Sequence, residues 1–309
     1  MRNETFTFSS DEGTGIFVYK WFPDTSEGLK GVVQIAHGMA ETAARYERFA
    51  KVLVEAGFGV YANDHRGHGK SAISVDKQGI LAKSDGFNWM VKDVHKLTEI
   101  IKKENPGMPV FLFGHSMGSF VSQRYLELYG NELKGAVLSG SNGRQGVFLK
   151  VARFIAKLEC NKSGRDVPSM KLNQMSFGNF NDSFKPARTE FDWLSRDHAE
   201  VDKYIADPYC GAIFPAGFFY DFLGGLIELE KPANVAQVPK DLPLYLFAGA
   251  RDPVGKAGAG VKKLYETYRS HGIKSIQIKL YEDGRHEMLN ELNRDEVMRD
   301  TVKWLEGVL

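Results

Sequence analysis

Val110-Phe-Leu-Phe113-Gly114-His115-Ser116-Met117-Gly118-Ser119-Phe120-Val121 is the stretch whose reading decides the fold. The apolar run before Gly114 reads as a short buried strand. Two glycines then bracket a serine, and a helical pattern runs on to Tyr129, with Gly130 behind it. Strand, tight turn and helix in that order make a G-x-S-x-G elbow, which holds a serine hydroxyl exposed above a sheet. Small residues at 114 and 118 let the turn close. The N-terminus of the following helix then faces any negative charge that develops at Ser116.

Working outward, similar apolar runs recur at Val32–Ala36, Phe58–Ala62, Gly135–Leu138, Leu244–Phe247 and Ile276–Tyr281. They read as buried strands of a mostly parallel sheet. Thr5–Ser9 and Gly15–Phe22 alternate like an antiparallel hairpin, which brings the expected sheet to eight strands. Helical patterns cover Glu41–Ala56, Phe87–Lys103, Met117–Tyr129, Val254–His271 and Arg294–Leu309, so the fold class is α/β. From Ser141 to Asp241 no run reads as a buried strand, an interval far longer than an ordinary connection. A helical cap over residues 142–240 is expected there, inserted after the sixth strand, between core segments 1–141 and 241–309.

Composition narrows the function classes. The 309 residues carry 40 Lys and Arg against 39 Asp and Glu, a net charge of +1 that argues against a nucleic-acid partner. Cys160 and Cys210 are too few for a disulfide framework. Met1–Ser10 is polar, with no apolar core of a signal peptide, so a cytoplasmic protein is expected. The function must therefore lie in a site, and Ser116 is its first member.

A serine nucleophile needs a base, and the base needs an orienting acid. In strand–elbow–helix sheets they follow the serine in the order acid, then His. His286 lies in Gly284-Arg-His-Glu287, after the strand ending at Tyr281, in a loop at the carboxyl end of the sheet. His271 is its rival, but it closes a helix, where a basic residue suits the dipole. Asp252 follows strand 244–247, with Pro253 read as the first helical position. Its other reading is a simple helix cap. Asp283 is the competing acid, only three residues from His286. The backbone N–H groups of Met117 and of Met39, in the turn after strand 32–36, are the expected oxyanion donors.

These residues resemble the α/β-hydrolase superfamily, in particular its monoacylglycerol lipase and lysophospholipase branch. The resemblance rests on His37-Gly38, Asp64-His-Arg-Gly-His-Gly-Lys-Ser71, the elbow, Gly249-Ala-Arg-Asp-Pro-Val254 and Gly284-Arg-His-Glu287. It implies a serine hydrolase of long- or medium-chain acyl esters, with Ser116, His286 and Asp252 as triad and no metal or organic cofactor. It also implies that His65, Arg66 and His68 brace the floor of the site. Met39 beside the oxyanion turn and Ser119 in the elbow depart from the family's usual small residues. Other readings are a small-molecule carboxylesterase, a proline-iminopeptidase-like enzyme using Glu190, Asp192 and Glu200 to bind an amine, and a non-catalytic receptor. Ser116 excludes the aspartate chemistry of dehalogenases and epoxide hydrolases.

The expected substrate contacts are His37, Gly38, His115 and the aromatic cap residues Phe214, Phe218 and Phe219, lining an apolar acyl pocket. Gly146–Leu158 reads as an amphipathic cap helix, with Lys150, Arg153 and Lys157 on one face and Phe148, Val151, Ile155 and Leu158 on another. It suits either peripheral docking on an anionic membrane through the basic face or packing on its own domain.

Overall fold

A computed structural model describes residues 1–25 and 28–309. Its eight strands are β1 (Arg2–Ser9), β2 (Gly15–Phe22), β3 (Gly31–Ala36), β4 (Phe58–Asn63), β5 (Val110–His115), β6 (Gly135–Ser139), β7 (Leu244–Gly249) and β8 (Ile276–Tyr281). They form one sheet in the order β1-β2-β4-β3-β5-β6-β7-β8. β1 and β2 run antiparallel, and every pairing from β4 to β8 is parallel. β3 to β7 are buried along their whole length, which is why they read as continuous apolar runs rather than alternating ones.

Helices cover both faces. α1 (Glu47–Glu55) and α10 (Arg294–Gly307) pack on one side through Phe49, Leu53, Val297 and Trp304. α2 (Gly86–Glu104), α3 (Met117–Tyr129) and α9 (Ala259–Ser270) pack on the other through Val94, Val121 and Leu264. Between β6 and β7 lie α4 (Val147–Ser163), α5 (Met170–Phe177), α6 (His198–Ala206), α7 (Ala216–Leu229) and α8 (Pro232–Val235). No helix among the described residues is long and apolar enough to cross a membrane.

Two boundaries and one helix face differ from the sequence reading. The helix expected from Val254 begins at Ala259, so Pro253 is not its first residue. Residues 253–258 are spent on turns, with Lys256 and Ala257 both at φ 51°. The helix expected from Glu41 starts at Glu47, after a 3-10 turn at Ala43–Tyr46. α4 keeps its amphipathic pattern, but its apolar face is in solvent along with Lys150 and Lys157. Val147, Phe148, Val151, Phe154 and Leu158 are exposed, while Arg153 lies over the Tyr220 ring at 4.5 Å.

The loop after β4, for which the resemblance implies a bracing role, is packed into the core. His65, Arg66 and His68 are wholly buried. Asp64 accepts from Ala43 N–H and Lys70 N–H, each at 2.8 Å, and so closes the loop. Arg66 forms a bidentate pair with Asp93 on α2, at 2.6 and 3.0 Å. Removing one partner of such a pair leaves a buried charge unpaired. Arg66→Met is therefore expected to lower unfolding stability by about 3–5 kcal/mol. Urea denaturation followed by circular dichroism checks this; a midpoint equal to wild type rules the brace out.

Candidate active site

Ser116 stands alone between the end of β5 and the start of α3, at φ 50°, ψ −119°. Few non-glycine residues accept this left-handed backbone, and the surrounding packing has to impose it. A Cβ on Gly118 would lie 2.1 Å from Ala36 O, and one on Gly114 would lie 2.3 Å from Ser122 Oγ. Gly118 is thus forced by close approach of the elbow to the end of β3, and Gly114 by close approach of the first turns of α3. Ser119 fits because its hydroxyl donates to Ser116 O at 2.6 Å and accepts from the Ser141 hydroxyl at 2.8 Å.

Asp252 and His286 meet from separate loops. Asp252 is fully buried, and its Oδ1 accepts from His286 Nδ1 at 3.0 Å and from Val254 N–H at 2.9 Å. Burial alone would lower the His286 pKa, but the Asp252 carboxylate outweighs it and raises the value above 6.5. The Trp193 ring covers His286 at 5.2 Å, and Trp193 O accepts from His286 N–H at 3.4 Å. The rivals are elsewhere. Asp283 is exposed, and His271 Nδ1 is spent on Thr267 O at 2.8 Å.

Met117 opens α3, so its N–H has no acceptor within the helix. The turn that carries Met39 is held by a feature the sequence reading missed. Glu41 Oε1 accepts from Gly38 N–H at 2.5 Å and from Tyr46 O–H at 2.9 Å. Arg45 donates to Glu41 at 2.6 Å and to both oxygens of Glu287 at 2.7 Å. One buried guanidinium thus ties the Gly38–Met39 turn to the loop of His286. Burial would raise the Glu287 carboxyl, but Arg45 holds it down at about 2. The spacing of Glu41 and Arg45 was the only trace in the sequence; the partner across the fold was not visible.

Two unlike cavities meet at Ser116. The first, about 350 Å³, is lined by Gly38, Glu41, His115, His286, Glu287 and Tyr204, with Asn173, Gln174, Asn181 and Glu190 on its cap side. The second, about 330 Å³, is apolar: Phe120, Leu149, Leu172, Phe177, Phe219 and Phe222 are among its walls. Met39, Ser116 and Phe177 line both. Gly38, His115 and Phe219 thus reach the cavities as expected. His37 does not. It is fully buried, with Nε2 accepting from His65 N–H at 2.9 Å, so it braces two loops. Phe214 and Phe218 are also core, packed on His68 at 4.9 and 6.1 Å. The aromatic run lies on α7, and only its Phe219/Phe222/Leu223/Leu226 side reaches the apolar cavity. The carboxylates offered for an amine site are not assembled either. Glu190 lines the first cavity, but Asp192 is bound by Thr189 and Glu200 by Arg48 and Lys203.

The family described as serine aminopeptidase, S33 matches residues 27–293. The chain is 29% identical to a monoacylglycerol lipase of Mycolicibacterium smegmatis, over 97% of this chain and 95% of that one. It is 28% identical to the monoglyceride lipase of Homo sapiens, over 91% of this chain and 82% of that one. Among solved structures, a thermostable carboxyl esterase from Bacillus coagulans in complex with glycerol is similar, with TM-score 0.91 and 28% identity, covering 100% and 99% of the two chains.

The histidines give a direct check on the electrostatics. Proton NMR is expected to find His286 titrating above 6.5, whereas burial and the neighbouring His286 keep His115 neutral down to about 3. In Asp252→Asn the raising carboxylate is gone and burial remains, so the His286 midpoint should fall below that of wild type. An unchanged midpoint would sink the assignment of Asp252 as its partner.

Proposed function

The chain belongs to the serine aminopeptidase S33 family of α/β-hydrolases and is a serine ester hydrolase, and on that premise we propose that it cleaves monoacylglycerols carrying long- or medium-chain acyl groups. The carrying observation is the meeting at Ser116 of an apolar cavity and a more polar one, in which carboxylates and amides stand among Phe177, Phe191 and Trp193. The apolar cavity suits an acyl chain, each buried methylene contributing about 0.8 kcal/mol. The polar one suits the alcohol. Among the described residues its lining has Glu41, Glu190 and Glu287 but no Lys or Arg, so an uncharged polyol is favoured over a phosphate. The same lining supports ester over aminopeptide cleavage, since Glu41 and Glu287 are both engaged by Arg45.

In this reading Ser116 Oγ attacks the ester carbonyl while His286 Nε2 takes its proton. Asp252 keeps Nδ1 protonated and stabilises the imidazolium. The Met39 and Met117 N–H groups receive the oxyanion; losing one such donor typically costs about 3 kcal/mol. His286 then protonates the departing alcohol and afterwards activates water, which releases the fatty acid and frees Ser116. The atoms balance with water as the only co-reactant.

Residues 142–240 serve in this reading as the cap that shapes both cavities and meets the lipid. The exposed apolar stripe of α4 runs from Val147 to Leu158, and one of its members, Phe148, also lines the acyl cavity. Lys150 and Lys157 flank it in solvent. An apolar face with basic edges beside the mouth of an acyl cavity suits a lipid aggregate rather than a protein partner.

Fatty-acid release from a long-chain 1-monoacylglycerol, from the matching lysophosphatidylcholine and from a short p-nitrophenyl ester tests the function. Ser116→Ala should lose roughly six orders of magnitude in turnover. Turnover of the short ester alone would reduce the protein to a small-molecule carboxylesterase, and preference for the phospholipid would overturn the head-group argument. kcat/KM should fall as the pH drops through a midpoint above 6.5, because the raised His286 must be neutral to accept a proton. Phe154→Asp should weaken binding to lipid vesicles and activity on dispersed lipid, leaving the soluble ester within about two-fold; no loss on vesicles removes the docking face.

A further inference from the structure

Behind the acyl cavity lies another, of about 460 Å³, enclosed by α3, the link from Asn142 to Gln145, α7, α8 and α9. The two cavities have Phe120, Asn142, Gln145 and Leu226 in common. Asn142 is fixed by its side chain, which donates to Val254 O at 2.8 Å. Phe120 and Leu226 are apolar, buried and held by packing alone; the Phe120 ring meets Phe222 edge-on at 6.0 Å. The wall between the cavities therefore has two side chains that can turn aside without breaking a hydrogen bond.

The lining of the rear cavity is graded. Leu229, Val235, Leu264 and Tyr268 are buried on its inner side, whereas Lys263, Glu266 and Ser270 are exposed at its outer edge. Its buried amide and carboxyl already have partners: Gln123 Nε2 donates to Ser141 Oγ at 2.9 Å, and Glu127 accepts from Arg124 at 2.7 Å. The remaining polar members, Arg144, Glu230, Thr267 and His271, are half-buried or exposed, so the buried inner side is the part suited to hydrocarbon, which asks only for apolar area.

We propose that the rear cavity is the distal compartment of the acyl site, and that Phe120 and Leu226 form a yielding partition that sets chain-length preference. Chains too long for the front cavity push past this pair. The inference rests on the acyl-ester reading above and adds to it the determinant of acyl length. Phe120 and Leu226 line the acyl cavity but lie outside the proposed reacting groups, so their substitution should act on long chains far more than on short ones.

The test is kcat/KM over a series of 1-monoacylglycerols, from about eight to about twenty carbons, each buried methylene being worth roughly four-fold in affinity. Phe120→Ala opens the partition and should raise the ratio of longest to shortest substrate by roughly ten-fold or more. Leu226→Trp fills it and should lower that ratio by a similar factor, the shortest ester serving as the reference within each variant. Ratios unmoved in both variants overturn the partition. So does an equal change on short and long esters, which would mean that the wall acts on Ser116 rather than on the chain. Failure of the wild-type protein on every acylglycerol is a different result: it removes the acyl-ester reading itself.

Discussion

The steric contact between the Ser116 elbow and the end of β3 organises everything around it. A side chain at Gly118 would run into the carbonyl of Ala36, so the first turn of α3 lies directly on the strand end. Register does the rest. Ala36 pairs with Gly114, and His115 pairs with Ser139 on the next strand. The turn after β3, the serine, and the loop after β6 therefore arrive at one place on the sheet. β7 and β8 follow in order and deliver Asp252 and His286. Main-chain atoms of Gly284 and Arg285 sit so close to Gly249 that a Cβ there would lie 2.1 Å from Gly284 O, so the two loops are interlocked.

Buried charge then refines what sterics has assembled. The histidines show the logic most clearly. Among the described residues no carboxylate is hydrogen-bonded to His65, His68 or His115, and burial pushes their pKa values down to about 3, 4 and 3. His286 is as deeply buried, yet one carboxylate in contact reverses the direction of its shift. Arg45 performs a second alignment, between the Gly38–Met39 turn and the His286 loop, through Glu41 and Glu287. Burying three charges together is costly unless their hydrogen bonds are filled, and here the bidentate geometry fills them.

The segment between β6 and β7 contributes differently. Its 191–195 stretch is hydrogen-bonded to the His286 loop, with Trp193 and Leu194 carbonyls accepting from His286 and Glu287 N–H groups. α4 and α7 pack together instead through side chains, with Arg153 over Tyr220. One part of the segment thus belongs mechanically to the proposed catalytic loops. The other forms the roof of the apolar cavity and leaves a greasy stripe in solvent.

The eight strands, their mostly parallel run and the candidacy of Ser116, Asp252 and His286 could be read from the sequence, because each depends on local pattern. An apolar run, a glycine pair and a loop after a strand are readable within about ten residues. What faced what around α4 and α7 was not legible. Helical spacing gives the faces of a helix but not which of them meets a neighbour, so Phe214 and Phe218 read as substrate contacts and proved to be core. For α4 the sequence left docking and packing both open, and its apolar face is exposed. Arg45 escaped for the same reason: its partner Glu287 is distant in the chain and near only in space. The sequence by itself determined the sheet, the elbow and the residue types available for chemistry, because backbone sterics and hydrophobic period act over neighbouring residues. Only the tertiary structure decided which side chains line the cavities and which charges are paired, because contacts between distant segments depend on packing that no local pattern encodes.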